Sequence, residues 1–400
     1  MNYLLQLVLI LVLTKLGAHL ANRFKLPTVI GELLVGVLAG PAVFHILTYG
    51  TFIHYFAEIG VIILMFIAGL EGDLKQLFHY WKPALTVATL GVIFPTAAAV
   101  LLCVGMFDFS LKTALFLGLI LSATSVSITV QVLKEMSYLN TREGAIILGA
   151  AVADDIICVV LLGISTSLFG TASTQNSSII GMVVPKVLFF VIAIAIALAK
   201  WLVPVFLKIA SKIQSSENVT TGALILCFGF AFLAVEMGMS DVLGAYIAGL
   251  AISETNFKEQ LAAKIEPIGY AVFIPVFFVS IGLEITFKGM QNDLLFIGLL
   301  LFVAILGKQI GGAIGGKLFG LTWNEANIVG AGMVSRGEMA LVVANVAVSA
   351  GLIDHNHYTA MIVVTVMATL IAPSMLKVFI QRGKRVVSGI QLNKTSEAKS

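Results

Sequence analysis

The sequence predicts an all-α, polytopic membrane protein with 13 transmembrane helices, arranged as inverted-topology repeats that hold two crossed discontinuous helices. Three observations predict it: an apolar composition, a series of apolar runs near spanning length, and a one-sided distribution of Lys and Arg between alternating loops. Hydrophobic residues make up 59% and charged residues 11% of the 400. Mean hydropathy is +1.04, which is too apolar for a soluble domain of this length.

In chain order the apolar runs cover residues 3 to 22, 28 to 47, 54 to 71, 83 to 105, 112 to 133, 142 to 169, 180 to 207, 219 to 237, 240 to 253, 262 to 284, 293 to 316, 325 to 350 and 356 to 380. The run 240 to 253 is short for a span, and 180 to 207 is long enough to tilt or to include an interfacial turn. The first run lacks a basic segment before it, so it reads as a retained helix and not as a cleavable signal. Gly170 to Ser178 form a polar, uncharged loop that divides the chain into halves of similar helix count, and residues after about 385 read as a short polar tail.

Of the 24 Lys and Arg, 18 fall in or at the edges of one set of alternating loops and the tail, among them Arg23, Lys75, Lys134, Lys208 and Lys258, and three, Lys15, Lys308 and Arg336, lie within spans. The opposite set holds Lys112, Lys186 and Lys288. Short cytoplasmic loops retain positive charge, so an odd number of helices is expected, with the N-terminus outside, the C-terminus cytoplasmic, and the cell membrane, of the bacterial plasma-membrane kind, as the location. The cysteines, Cys103, Cys158 and Cys227, sit far apart in apolar runs and read as packing residues. No Gly-rich phosphate loop is present, so ATP-driven transport is not expected; the expected partners include neither nucleotide nor nucleic acid, and no cofactor is expected.

The chain is organised around Asp154 and Asp155, the only charges between Glu143 and Phe169. They lie ~21 Å from the helix start at Asn140, at about 1.5 Å per residue, which is mid-bilayer. An ionised carboxylate at that depth costs roughly 2.5 kcal/mol or more, so two in succession point to an ion or proton site. Successive helical residues diverge by about 100°, so one carboxylate can meet a fixed partner while the other faces a water-filled cavity.

Four further polar features stand out. Lys308 is near mid-span in a run uncharged beyond its first residue, where a snorkelling lysine would sit at a helix end; it needs a counter-charge, and Asp154 or Asp155 would serve. Residues 121 to 129 carry the hydroxyls of Ser122, Thr124, Ser125, Ser127 and Thr129. Such hydroxyls either bond back to their own helix or, where it unwinds, help ligate a cation. Arg336, Gly337 and Glu338 fall in the middle of the run 325 to 350, as a broken helix with neutralised half-helix ends or as a continuous helix with a buried pair. Glu32, in a run with glycines at 31, 36 and 40, receives no chemistry.

Symmetry links these features. Runs 83 to 105, 112 to 133 and 142 to 169 form one trio, and 293 to 316, 325 to 350 and 356 to 380 another, beginning on the opposite side of the membrane. Their middle members are the two candidate broken helices, which is the inverted-repeat pattern of secondary transporters.

At this point the chain resembles the monovalent cation:proton antiporters, and within them the NapA-type two-aspartate sodium/proton antiporters. The matching stretches are Leu-Pro-Thr-Val-Ile-Gly-Glu at 26 to 32, Gly-Leu-Glu-Gly-Asp at 69 to 73, Ser-Ala-Thr-Ser at 122 to 125, Ala-Asp-Asp at 153 to 155, Phe-Phe-Val-Ser-Ile-Gly-Leu-Glu at 277 to 284, Lys308, and Ser-Arg-Gly-Glu at 335 to 338. The resemblance covers essentially the whole chain and implies an NhaA/NapA-like fold and a homodimer. Residues 1 to 82 and 180 to 284 would form mainly dimerisation or scaffold helices with a linking helix; 83 to 169 and 293 to 380 a moving core; 381 to 400 a cytoplasmic tail. It implies Asp155 as the carboxylate exchanging cation for proton, Asp154 as the partner of Lys308, Thr124 and Ser125 as part of the unwound crossing, and Glu338 as a nearby acid. Arg336, Gly337 and Ser127 would be structural at that crossing. Potassium-carrying relatives commonly have a longer C-terminal regulatory domain.

The expected activity is exchange of cytoplasmic Na⁺ or Li⁺ for external H⁺, with the cation held transiently by Asp155 and Asp154 as substrate and the bilayer as surroundings. Alternatives are K⁺/H⁺ antiport and Na⁺-coupled uptake of an organic solute, for which a roomier, more aromatic and amide-rich cavity is expected. A non-transporting scaffold would have no use for mid-membrane Asp154, Asp155 and Lys308.

Overall fold

The computed structural model describes residues 3–169, 201–237, 239–285, 294–349 and 352–397. Every regular element among them is helical. In chain order these are α1 (Tyr3–Arg23), α2 (Thr28–Ala39), α3 (Thr51–Glu71), α4 (Leu74–His79), α5 (Trp81–Phe107), α6 (Leu111–Ser122), α7 (Val126–Glu135), α8 (Arg142–Phe169), α9 (Val203–Lys212), α10 (Asn218–Glu236), α11 (Asp241–Ser253), α12 (Lys258–Ile268), α13 (Ile274–Leu283), α14 (Leu294–Leu318), α15 (Trp323–Gly332), α16 (Glu338–Ser349) and α17 (His355–Glu397).

Nine helical stretches among the described residues are long and apolar enough to cross a membrane, counting α6 with α7 and α12 with α13 as one each. The expected runs 28 to 47, 240 to 253 and 325 to 350 take shorter apolar helical form, and most of 180 to 207 lies outside the described residues. The first of these stops at Ala39, where Gly40 turns to extended backbone at φ −78° and ψ −172°. The expected run 262 to 284 is a bent rod: α12 and α13 are joined by a π-helical turn at Gly269–Phe273, between Pro267 and Pro275. The polar tail is not irregular, because α17 continues through residues 381 to 397.

Exposed apolar side chains recur every fourth residue along α1, at Val8, Val12, Leu16 and Leu20, where a soluble helix would carry polar groups. Lipid is the solvent such a face requires.

Glycines set the close helix contacts. A Cβ on Gly69 of α3 would stand 2.2 Å from the Tyr246 carbonyl oxygen of α11, and one on Gly249 2.1 Å from that of Phe66, so the two backbones touch at that crossing. Helices α1 to α3 and α10 to α13 pack among themselves in this way. Helices α5, α6, α8 and α14 to α17 form a second set, in which α14 lies along α5. Helix α7 stands between the sets and touches α2, α3, α8 and α17.

Candidate ion-binding site

Helix α8 runs unbroken through Asp154 and Asp155, so their side chains diverge from one backbone. Lys308 arrives from α14. That helix can lie against α5 because Gly307 and Gly311 face Pro95 and Leu90, where a Cβ would stand 2.7 and 2.5 Å from backbone atoms. Gly91 on α5 leaves room for the lysine stem: a Cβ there would meet Lys308 Cδ and Nζ at 3.5 Å. Lys308 Nζ donates to Asp154 Oδ1 at 2.8 Å, and both side chains are fully buried. Of the two aspartates that the residues alone leave open, the ion pair forms with Asp154. The Asp154 Oδ2 atom is buried and has no hydrogen-bond partner among the described residues. Asp155, 9% exposed, makes neither a hydrogen bond nor an ion pair among the described residues.

Beside this pair two helices are interrupted. Helix α6 ends at Ser122, Ala123 is extended at φ −63° and ψ 137°, and α7 restarts at Val126. Helix α15, which begins on a Thr322/Glu325 capping box, ends at Gly332, and α16 restarts at Glu338. The exposed backbone groups of the two breaks satisfy one another. Ser125 N–H donates to the Ser335 carbonyl at 2.9 Å, and Ser335 Oγ donates to the Ser125 carbonyl at 2.7 Å. Thr124 Oγ1 donates to the Met333 carbonyl at 3.3 Å, and Thr129 Oγ1 to that of Gly332 at 2.7 Å. Gly337 is required by contact, since a Cβ there would sit 2.6 Å from Ser125 Oγ.

Arg336 is fully buried and links the break to the lysine helix. Its Nη1 donates to the Ala123 carbonyl at 3.0 Å and its Nη2 to the Ala304 carbonyl at 2.7 Å, one turn before Lys308. Thr369 of α17 bonds both its backbone N–H and its carbonyl. A guanidinium suits this position because its planar fork reaches two carbonyls at once.

The structure therefore brings together Asp154, Asp155 and Lys308, with Thr124, Ser125, Arg336 and Gly337 in the paired breaks. Ser127 is fully buried, but among the described residues its hydroxyl has no partner and takes no part in the bonds of the crossing. Glu338 opens α16, and its side chain lies outside the described ones. Glu32 is buried in α2. Glu71 pairs with Lys134 at 2.8 Å, and Lys134 also reaches Glu266 at 3.2 Å. Sequence reasoning missed Ser335 and Thr369 as crossing residues. Ser335 had a signal, its place beside Arg336, whereas a lone threonine in an apolar helix such as Thr369 gives none.

Comparisons with known proteins identify the family and the fold. Residues 8–382 match the family described as sodium/hydrogen exchanger, transmembrane. The chain is 44% identical to a Na(+)/H(+) antiporter of Enterococcus hirae, covering 96% of this chain and 99% of that protein. It is 42% identical to the Na(+)/H(+)-K(+) antiporter GerN of Bacillus cereus, covering 94% and 96%. The fold is similar to that of the sodium proton antiporter MjNhaP1 of Methanocaldococcus jannaschii, with a TM-score of 0.68 at 18% identity over 94% of this chain and 96% of that one. The chain thus belongs to the transmembrane sodium/hydrogen exchanger family, a group of multi-pass transporters within the monovalent cation:proton antiporter superfamily.

Proposed function

We propose that this chain exchanges cytoplasmic Na⁺ or Li⁺ for external H⁺ by alternating access. The observation that carries the proposal is the contrast between two adjacent acids at mid-membrane: Asp154 is tied to Lys308, and Asp155 has no partner among the described residues. A buried carboxylate without a partner is stable as an acid or with a bound cation, and poorly stable as a bare anion. Asp155 is thus the exchange group, taking a proton or a cation but not both. The antiporter relatives at 42–44% identity support the same activity.

In the proton-loaded state Asp155 is neutral and Lys308 charged against Asp154. Entry of Na⁺ displaces the Asp155 proton and loosens the Lys308 pair, which releases a second proton. The cation-loaded site, with two carboxylates, one cation and neutral lysine, carries one unit less charge than the proton-loaded site. Arg336 contributes equally to both states. One charge crosses per cycle, two protons against one sodium, so about 2.3 kcal/mol per 100 mV of membrane potential is available for extrusion. Protons and sodium compete, so the rate rises with cytoplasmic pH.

The paired breaks serve as the crossed discontinuous helices of a NapA-like inverted repeat within 13 spans. Thr124 and Ser125 line the site, Glu338 is an acid near it, and Arg336 and Gly337 hold it in shape. Residues 83–169 and 293–380 move as an elevator-like core against scaffold helices from 1–82 and 180–284, in a homodimer with its N-terminus outside and the 381–400 tail in the cytoplasm. The test is dissipation of a pH gradient in proteoliposomes on addition of Na⁺, Li⁺ or K⁺, with and without a clamped voltage. Dissipation by Na⁺ that Asp155→Asn abolishes supports the proposal; Na⁺-driven solute uptake without proton movement overturns it.

A further inference from the structure

Helix α7 carries Ser127, Gln131 and Glu135 at successive four-residue steps, so the three side chains share one face. Two of them hold oxygens that the fold leaves unused. Ser127 is fully buried and Gln131 is 7% exposed, and neither Ser127 Oγ nor Gln131 Oε1 has a hydrogen-bond partner among the described residues. Buried polar atoms without partners are uncommon, and each requires an explanation.

For Ser127 the local cause is visible. A helical serine ordinarily bonds the carbonyl four residues earlier, here Ala123. Ala123 is in the unwound segment, and its carbonyl accepts from Arg336 instead. For Gln131 the orientation follows from its neighbour. Its Nε2 donates to Glu135 Oε1 at 3.1 Å, a carboxylate that can only accept when ionised, so the amide oxygen is the free end. Glu135 is held in turn by Thr28 of α2, through its backbone N–H at 3.1 Å and its hydroxyl.

The geometry points to Ser127 Oγ and Gln131 Oε1 as a passage site for the dehydrated alkali cation, between the Glu135 end of α7 and Asp155. This rests on the antiport reading above. A hydroxyl and an amide carbonyl replace hydration oxygens around a hard monovalent cation, whereas an amide oxygen is poorly suited to hand on protons. Both oxygens are buried, and Glu135, to which Gln131 donates, is held by Thr28 of α2; entry of the cation is placed where α2 and α7 separate. The arrangement explains why the fold tolerates two unpaired oxygens one turn apart.

The test uses the full-length protein in proteoliposomes with Na⁺ or Li⁺ as the probe, comparing Ser127→Ala, Gln131→Met and the double variant with the parent chain. The expected result is an apparent KM for Na⁺ raised about fivefold by each single change, with the maximal rate and pH profile kept, as for loss of one uniform binding contact. The Na⁺:Li⁺ preference shifts, and Ser127→Thr, which keeps the hydroxyl, restores the parent KM. If the oxygens only bind a buried water, apparent melting temperature and maximal rate change while KM and ion preference do not, and the proposal fails. Should a variant fold poorly, Na⁺-dependent protection against thermal unfolding of the part that folds gives the same comparison: a parent-like Na⁺ midpoint overturns the passage site, and a raised one supports it. The antiport reading is separated by Asp155→Asn: if that variant still exchanges Na⁺ for H⁺, antiport through Asp155 fails, whereas a dead Asp155→Asn with unchanged KM in the α7 variants sinks the passage site alone.

Discussion

Lys308 Nζ lies 2.8 Å from Asp154 Oδ1, on helices 154 residues apart in sequence, with neither side chain touching solvent. Removing one partner of such a pair leaves an uncompensated buried charge and costs about 3–5 kcal/mol, whereas replacing both with neutral groups is close to neutral. Lys308→Met is therefore expected to lower the apparent melting temperature in detergent strongly. Adding Asp154→Asn to it should recover most of the loss.

Asp155 predicts the reverse. It has no hydrogen-bond or ion-pair partner among the described residues, so Asp155→Asn breaks no such bond and should leave the apparent melting temperature close to that of the parent or raise it. Na⁺-dependent proton movement should disappear. A large loss of melting temperature would show that the carboxylate is structural.

Lys308→Gln tests the charge count. With the titrating ammonium gone, exchange through Asp155 alone moves one proton per sodium, and the rate in proteoliposomes should lose its dependence on clamped voltage. Unchanged voltage dependence would remove the lysine from the proton inventory.

Gly337→Ala places a methyl group 2.6 Å from Ser125 Oγ and 2.8 Å from Ser125 Cβ, inside the paired breaks. Overpacking of this kind costs about 1–3 kcal/mol. Ser125→Ala in the same chain should relieve only part of it, since Cβ remains; thermal unfolding of the two variants measures the difference.

The Thr28 and Glu135 contact joins α2 to α7, which the elevator proposal places in different bodies. A thiol-reactive cross-linker spanning Thr28→Cys and Glu135→Cys is expected to stop exchange, and cleaving it to restore the rate. Exchange that continues at the uncross-linked rate with the link intact would argue against relative motion there.

That this is a helical membrane protein is legible in the residues, because bilayer thickness and hydropathy act on local runs, and the run 142 to 169 coincides with α8. The mid-span positions of Asp154, Asp155 and Lys308 are legible there too, since depth follows from position along a helix. The residues alone left open which aspartate takes the lysine, the family resemblance implied Asp154, and the tertiary structure decided for that pair. It decided too that the hydroxyl run unwinds, because Thr124, Thr129 and Ser125 are bonded to Met333, Gly332 and Ser335 some two hundred residues away. The same hydroxyls on an isolated helix would have bonded their own backbone, and nothing in residues 121 to 129 distinguishes the two outcomes. Local pattern fixes how deep a polar group lies; only the meeting of distant segments fixes what it bonds.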